Sequence, residues 1–431
     1  MLIHNAEIVD GENPARRGWV LTSGPLIESI GEGEPPREVM ARSGETVDAA
    51  GRILLPGAID CHVHFREPGL TAKATIASES AAAVAGGVTS YIDMPNTVPP
   101  TVTLDAWADK MRRAEATSLA NYAFMIGATA DNLDQLQRAD YTRVAAVKVF
   151  MGSSTGGMLL RGTDALAAVF ADQPGRVVVH AEDQDIIDAN MARHAPLRHP
   201  EDMRWHSRLR DNRACAAATE RALTLAARYG TRLHVAHVTT REETAMFDPS
   251  PSPAGKRITA EVSPHHLLWT ADDYPRLGSR IKMNPAVKSA ADRAALRRGV
   301  TEGRLDIIAT DHAPHRPEDK SGDVLHAASG APMVQFSLPA MIDLFGPDEA
   351  VRRMCVAPAA LYGIEGRGRL VPGAYADMVL VERLAEPHVV ADSDVLSLCG
   401  WTPMAGSPLS HRVVRTWVNG GCGPMPLRFN P

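Results

Sequence analysis

Six side chains that can bind a metal ion lie at or near the ends of short apolar segments. They are His62 and His64 after GAIDC, Lys148 in AAVKVFM, His180 in VVVHAED, His237 in LHVAHVTT and Asp311 in ATDHAPH. Imidazole and carboxylate groups together favour Zn²⁺, with Mn²⁺ or Co²⁺ as replacements. A carboxylate beside a metal can also carry a proton, which makes Asp311 the candidate catalytic acid–base group. The set indicates metal-assisted hydrolysis of an amide.

The His62-x-His64 pair suits a single metal ion. Residues two apart on a strand point to the same side, so both imidazoles can reach one ion. The other histidines of apolar segments, listed next, are interpreted as packing or supporting groups: His234, His265 and His266.

Lys148 has two interpretations. Its stem could be buried while its ammonium finds a carboxylate. Alternatively, desolvation and nearby cations keep the amine neutral, so that it reacts with CO₂ to form a carbamate. A carbamate is an anionic ligand with two oxygens and can bridge two metal ions.

Eight apolar segments must position these side chains. They are residues 53–60, 88–96, 121–128, 144–151, 176–182, 232–239, 257–265 and 305–314. Each is short, rich in Val, Ile and Ala, and lacks polar alternation, which is typical of parallel strands covered on both faces. Ala-rich helical stretches lie between them, at 74–87, 164–172, 212–230 and 290–300. The alternation predicts an α/β protein with a (β/α)8 TIM barrel, whose active site lies at the carboxyl ends of the strands.

The two chain ends have a different pattern. Short strand-like segments broken by Gly and Pro occur at 1–10, 17–30, 46–54, 368–382 and 411–420. They predict one small β-domain composed of residues 1–55 and 366–431. The barrel then takes residues 56–365.

Composition excludes several classes of protein. The 431 residues carry a net charge of −6 without a Lys/Arg-rich run, which argues against nucleic-acid and anionic-membrane partners. Five scattered cysteines without a C-x-x-C pair indicate a reduced protein, and no apolar run approaches the ~20 residues of a membrane span. The first residues show no signal pattern, so the expected location is the cytoplasm.

Taken together, the motifs resemble those of the dihydroorotases of the amidohydrolase superfamily. They are GAIDCHVHFREPG, AGGVTSYIDMPNTVPPT, VKVFMGSSTGGML, VHAED, HVAHVTT and ATDHAPH, in family order and spread over nearly the whole chain. The resemblance implies reversible hydrolysis of dihydroorotate to N-carbamoyl-L-aspartate. The partner would be a small-molecule substrate, and assembly as a homodimer or larger homo-oligomer is left open.

The resemblance also implies a binuclear site with two divalent metal ions, expected to be Zn²⁺. His62, His64 and Asp311 would bind the more buried ion. His180 and His237 would bind the second ion, and a CO₂-derived carbamate on Lys148 would bridge the two.

Four further residues match positions that hold substrate in the resembled family: Arg66, Asn96, Asn284 and His315. Arg66 offers a bidentate donor suited to a carboxylate. The chain departs from the family pattern at Asn284-Pro285-Ala286-Val287-Lys288 and at Ala331-Pro332-Met333-Val334. These departures concern the shape of the substrate loop and leave the metal ligands unchanged.

Two alternatives stay open. An allantoinase or hydantoinase would share the scaffold and the metals. Arg66 distinguishes a dihydroorotase from these enzymes, because only a substrate with a carboxylate needs a cation there. An inactive homologue that only scaffolds a transcarbamoylase is the second alternative. Such proteins lose metal ligands, and here all of them are present.

Overall fold

The computed structural model describes residues 1–152, 158–160, 162–171 and 173–431. Its strands, in chain order, are β1 (Leu2–Ile8), β2 (Arg16–Ser23), β3 (Leu26–Glu32), β4 (Thr46–Asp48), β5 (Ile53–Pro56), β6 (Ala58–Val63), β7 (Val88–Asp93), β8 (Asn121–Phe124), β9 (Ile126–Gly127), β10 (Val147–Phe150), β11 (Val177–His180), β12 (Leu233–Val235), β13 (Ile258–Val262), β14 (Ile307–Ile308), β15 (Met378–Val389) and β16 (Pro408–Trp417).

Strands β6 to β14 form the barrel. The order β6-β7-β8 and the order β9-β10-β11-β12-β13-β14 are each parallel throughout. Only Met125 separates β8 from β9, so together they occupy the third strand position. A parallel bridge from Val63 to His312 joins the first position to the eighth. The predicted (β/α)8 barrel is confirmed.

One predicted barrel segment is divided between two sheets. Within 53–60, β5 pairs with β1 and β15, whereas β6 starts the barrel. Gly57 lies between them, and a Cβ there would lie 2.1 Å from the hydroxyl oxygen of Thr89. The absence of a side chain lets the chain pass close to β7 as it changes sheet.

Strands from both chain ends form the second sheet, in the order β16-β15-β5-β1-β2-β3, with β4 paired to β1. It is mixed, because β1 is parallel to β4 and β5 and antiparallel to β2. Residues 17–30 are shared between two strands, β2 and β3, rather than one. The division into domains 1–55 with 366–431 and 56–365 stays a prediction.

The helices of the described residues are α1 (Arg37–Arg42), α2 (Ile76–Ala85), α3 (Leu104–Thr117), α4 (Leu133–Arg138), α5 (Thr163–Ala171), α6 (Gln184–His194), α7 (Trp205–Leu209), α8 (Asn212–Tyr229), α9 (Arg241–Thr244), α10 (Pro264–Leu268), α11 (Tyr274–Leu277), α12 (Ala290–Glu302), α13 (Ser337–Phe345), α14 (Pro347–Val351) and α15 (Ala357–Tyr362). Short 3₁₀ turns lie at Ala271–Asp273, Gly278–Ile281, Pro317–Lys320, Asp392–Asp394 and Asn419–Gly421, and a π-helical turn lies at Arg352–Val356.

Local sequence explains where the long helices begin and end. The carboxylate of Asp211 accepts from the main-chain N–H of Ala214 and caps α8, which ends at Gly230 in the left-handed conformation. Ser289 and Gly303 bound α12 in the same way. A side-chain acceptor at the N-cap and a glycine at the end are the usual helix boundaries.

The strands are buried on both faces, which explains why their sequences lack polar alternation. In β11, Val177 and Val179 contact the helical layer, whereas Val178 belongs to the cluster that fills the barrel. Side chains alternate along a strand, so His180 points to the same side as Val178. The barrel therefore directs His180 towards its carboxyl-terminal mouth.

Within the described residues, no helix is long and apolar enough to cross a membrane. All five cysteines carry free thiols, and only Cys422 is exposed.

Candidate active site

Three of the predicted metal ligands meet at the end of the barrel. The side chains of His62, His64 and Asp311 place one ligand atom each within 4.8 Å of one another. Asp311 Oδ1 lies 3.3 Å from His62 Nε2 and 3.0 Å from His64 Nε2. Ligands of one tetrahedral zinc ion lie about 3.4 Å apart, given bonds of ~2.1 Å. The donor set and its spacing fit a divalent cation.

Both histidines of this group are oriented through their other ring nitrogen. Nδ1 of His62 bonds Glu261, and Nδ1 of His64 lies 2.7 Å from Asn96 Oδ1. Such outer partners fix the tautomer and leave Nε2 for a metal. Burial lowers the pKa of His64 to about 4, so its ring is neutral at pH 7 as metal binding requires.

His180 and His237 form a second pair beside the first. Nδ1 of His180 lies 2.9 Å from Nε2 of His237, and the ring centroids of His62 and His237 are 5.3 Å apart. Nε2 of His180 bonds Glu182, 2.9 Å away, and Glu182 in turn accepts from Arg210. Burial lowers the pKa of both histidines. The two pairs therefore form one continuous cluster of imidazoles.

Lys148 lies in the same cluster on β10 and is fully buried. Within the described residues its ammonium makes no hydrogen bond. Burial lowers its pKa to about 8, against the opposing charges of Glu261 and Asp311. The residues that continue its sequence motif, 153–157, lie outside the described part of the chain.

Positive φ angles recur at three of the site residues. They are Arg66 at 68°, His237 at 35° and Asp311 at 48°. Left-handed backbone at residues other than glycine costs ~1–3 kcal/mol and concentrates at functional sites. Each of these residues follows a barrel strand, so the strained turns aim their side chains across the mouth.

Arg66 and His315 meet beside the metal group. Arg66 donates through Nε to the Pro314 carbonyl at 3.0 Å, and its Nη2 lies 3.1 Å from His315 Nε2. Lys73 donates to His315 Nδ1 at 3.1 Å. Burial and the two cations hold the pKa of His315 far below its usual range, so the ring is neutral.

The other predicted substrate residues are placed differently. Asn96 Oδ1 is engaged by His64. Asn284 has a buried amide oxygen without a hydrogen bond in the described part of the chain. His265 likewise has both ring nitrogens buried and unbonded there, whereas His266 bonds the Pro285 carbonyl at 3.0 Å.

The divergent segment 331–334 is held by the barrel. The main-chain N–H groups of Met333 and Val334 donate to His312 Nδ1, and His312 Nε2 bonds Glu79 at 2.7 Å. These hydrogen bonds anchor segment 331–334 to His312, which directly follows Asp311 at the eighth strand position.

Sequence reasoning missed the carboxylates that orient the cluster. Glu261 also bonds His234 Nε2 at 3.0 Å and accepts from the His237 main-chain N–H at 3.2 Å. Asp60 accepts from the main-chain N–H groups of His62 and Thr310. Both are single acidic residues inside apolar strands, and this was the signal that could have identified them.

Known proteins with similar sequences and folds agree with this geometry. Residues 53–421 match the model of the amidohydrolase family. The dihydroorotase of Halobacterium salinarum is 38% identical over 389 residues, covering 84% of this chain and 88% of that protein. The allantoinase of Rubrobacter xylanophilus is 32% identical over 425 residues, covering 94% and 92%.

Among solved structures, the L-hydantoinase (dihydropyrimidinase) from Arthrobacter aurescens superimposes with a TM-score of 0.90 at 27% identity, covering 97% of this chain and 94% of that one. The fold, the buried His–His–Asp group that fits a divalent metal, and the match over most of its length together show that this chain belongs to the amidohydrolase family.

Proposed function

We propose that this chain is a dihydroorotase, which interconverts (S)-dihydroorotate and N-carbamoyl-L-aspartate by metal-dependent hydrolysis in pyrimidine biosynthesis. The observation that supports this substrate most directly is the environment of Arg66. Arg66 is 2% exposed and forms no direct ion pair among the described residues. Burial lowers its pKa to about 10, although the charges of Asp311, Asp93 and Glu79 oppose this. A buried guanidinium without a counter-ion is costly, and the carboxylate of dihydroorotate would supply one.

Further lysines near Arg66 also lack a carboxylate within hydrogen-bonding distance. Lys320 is buried and donates to the carbonyl oxygens of Lys282, Ala328 and Gly330. Lys282 donates to the Ala327 carbonyl. Burial and the charges of Lys282 and Arg66 hold the pKa of Lys320 well below its usual range. A group of cations favours an anionic substrate.

We propose that the site binds two divalent metal ions. Its imidazole and carboxylate ligands favour Zn²⁺. His62, His64 and Asp311 would hold one ion, and His180 and His237 the other. Lys148, as its carbamate, would join them, which is consistent with a buried amine that makes no hydrogen bond to any described residue. When bound, the ions would lower the pKa of water and polarise the ring carbonyl.

The residues of the chain would bind the ring and move its proton. Arg66, with His315 beside it, would hold the carboxylate, and Asn284 would offer its unbonded amide oxygen to a ring N–H. Asp311 would take the proton from the attacking water and return it to the ring nitrogen that leaves. Burial opposes its ionisation, but His62, His64 and His237 hold the pKa of Asp311 well below its usual range. It is therefore ionised and able to accept a proton.

Allantoinase is the second candidate, because one relative with that name matches nearly the whole chain. Allantoin and simple hydantoins carry no carboxylate. Arg66 would then remain buried without a carboxylate of the substrate to pair with, which is unfavourable for a buried charge. An inactive scaffold is disfavoured because all six predicted ligands are present and buried.

Turnover of the zinc-loaded protein on dihydroorotate, allantoin and hydantoin tests the proposal. We expect hydrolysis of dihydroorotate and, in the reverse direction, ring closure of N-carbamoyl-L-aspartate. The same protein after chelation is the control and should be inactive. Faster turnover of allantoin than of dihydroorotate would assign the chain to the allantoinases instead.

Assembly as a homodimer or larger homo-oligomer and a cytoplasmic location stay predictions. Light scattering coupled to size-exclusion chromatography would determine the assembly.

A further inference from the structure

A cavity of about 360 Å³ lies at the amino-terminal end of the barrel, opposite the site described above. Three arginines of its lining directly precede barrel strands: Arg176 before β11, Arg232 before β12 and Arg257 before β13. A four-residue strand such as β11 spans about 13 Å, at ~3.3 Å per residue, and its other end carries His180. The cavity and the metal cluster are thus at opposite ends of the same strands.

The charged side chains of the lining are all cationic, and the lining also includes Pro431, the last residue of the sequence. The fourth cation, Lys256, pairs with Asp306 at 2.7 Å. The three arginines instead donate to main-chain carbonyls: Arg176 to Leu361 at 3.1 Å, Arg232 to Pro174 at 2.7 Å and Arg257 to Gly230 at 2.9 Å. Across the ranges that the structure describes, none of the three forms an ion pair with a carboxylate.

Aromatic residues also line the cavity. Tyr362 is one of them and is 6% exposed. Phe429 and Tyr141 add aromatic surface to the same cavity.

We propose that this cavity binds a small phosphorylated compound, with its phosphate held by Arg176, Arg232 and Arg257. A guanidinium group binds phosphate oxygens through paired N–H donors, and three such groups more than balance the two negative charges of a phosphate monoester. The cavity volume lies within the range of small-molecule sites, so space remains for an organic group against the aromatic side chains. The proposal does not depend on the reaction at the other end of the barrel.

Pyrophosphate and inorganic phosphate are the probes, added to the zinc-loaded protein and followed by calorimetric titration and thermal unfolding. We expect saturable binding of pyrophosphate and a rise in Tm of about 2–4 °C at saturation. Arg232→Gln combined with Arg257→Gln should weaken binding at least ~10-fold, because each lost charge-assisted bond contributes that much or more.

Matched variants separate this cavity from the metal cluster. Arg228→Gln removes an exposed arginine of α8 that does not line the cavity, and it should bind pyrophosphate like the parent protein. Dihydroorotate turnover and the Tm without anion report whether the double variant is folded. Unchanged pyrophosphate affinity in the folded double variant would overturn the proposal and assign the anion to the metal ions. If succinate bound as tightly as pyrophosphate, the proposal that the cavity selects a phosphorylated compound would be wrong.

Discussion

At the scale of single residues, a buried amine and a buried guanidinium, neither paired directly with a carboxylate of the described residues, mark the reactive end of the barrel. Lys148 is fully buried without a hydrogen bond in the described part of the chain, and Arg66 is buried beside a neutral histidine. Burying an unpaired charge costs several kcal/mol. A protein tolerates that cost where a ligand supplies the missing charge.

Arg66→Ala should lower kcat/KM for dihydroorotate by roughly 10²–10⁴-fold, reading each ~1.4 kcal/mol as tenfold. The reason is the loss of two charge-assisted hydrogen bonds of roughly 1.5–3 kcal/mol each. Arg66→Lys should restore only part of this, because lysine keeps the charge but not the planar fork. Steady-state kinetics on dihydroorotate and hydantoin would measure both. An equal loss on the two substrates would show that Arg66 supports the fold rather than the carboxylate.

Asp311→Asn should lower kcat by at least ~10²-fold, because the amide cannot accept the proton that the carboxylate transfers. Loss of a metal ion would also lower kcat, so metal content is measured on the same samples. Asn284→Ala is the matched comparison: it should raise KM while retaining both ions. Near-normal kcat in a fully metallated Asp311→Asn protein would exclude Asp311 as the proton carrier.

At the scale of elements, the end of β11 combines a ligand with its support. Glu182 orients His180 and receives two hydrogen bonds from Arg210 through Nε and one at 2.5 Å through Nη2. The pair joins β11 to the residue just before the α8 cap, and it is nearly inaccessible to solvent. The strand end therefore depends on a charge from another element.

Glu182→Gln should destabilise the protein by about 3 kcal/mol, since it leaves the buried Arg210 without its carboxylate. Urea unfolding of the metal-free protein would measure the change. Glu182→Leu with Arg210→Met should regain most of the stability, because an apolar pair of similar size removes both charges. In both the single and the double variant, metal affinity should be about 10–100-fold lower than in the parent protein, because His180 has lost its carboxylate partner. Recovery of metal affinity in the double variant would show that Glu182 does not orient His180.

At the scale of the whole molecule, a buried polar network joins the sheet of the chain ends to the barrel. Asp377, next to β15, accepts from Asn121 of β8, from the main chain of Asn419 and from Arg367. Asn419 also donates to the Asn121 side chain at 2.7 Å. The carboxyl-terminal segment is thus joined to β8 of the barrel by buried hydrogen bonds.

Acid should destabilise the metal-free protein below about pH 4.3. Burial opposes ionisation of Glu182 and Glu261, but Arg210 and His180 for the first, and His62 and His234 for the second, hold each pKa well below the usual range. The unfolded chain binds these protons first, so the stabilisation is full above the unfolded pKa and is lost as the pH falls. The loss approaches ~1.4 kcal/mol per pH unit for each group.

Urea unfolding of the metal-free protein from about pH 7 down to about pH 3 checks this dependence. In Glu182→Gln, the free energy of unfolding should depend less steeply on pH below about pH 4.3, because one of the two carboxyl groups is no longer there to titrate. A free energy of unfolding that is constant over the whole interval would contradict the assigned pKa directions.

The sequence by itself determined the barrel and most of the candidate metal ligands. Parallel strands buried on both faces leave continuous apolar segments, so eight of them could be recognised. His180 and Asp311 follow such segments, and the carboxyl ends of barrel strands all meet at one mouth. The proximity of these residues could therefore be predicted from the number of strands alone, without knowledge of side-chain packing.

Only the tertiary structure decided which polar groups support those ligands. His62 meets Glu261 across 199 positions of the chain, and Lys73 meets His315 across 242. Asn96, predicted to bind substrate, is engaged by His64 through its amide oxygen, and its contact with substrate stays a prediction. Such pairs depend on strand register and barrel closure, which set the contacts between distant segments and leave no local pattern in the sequence.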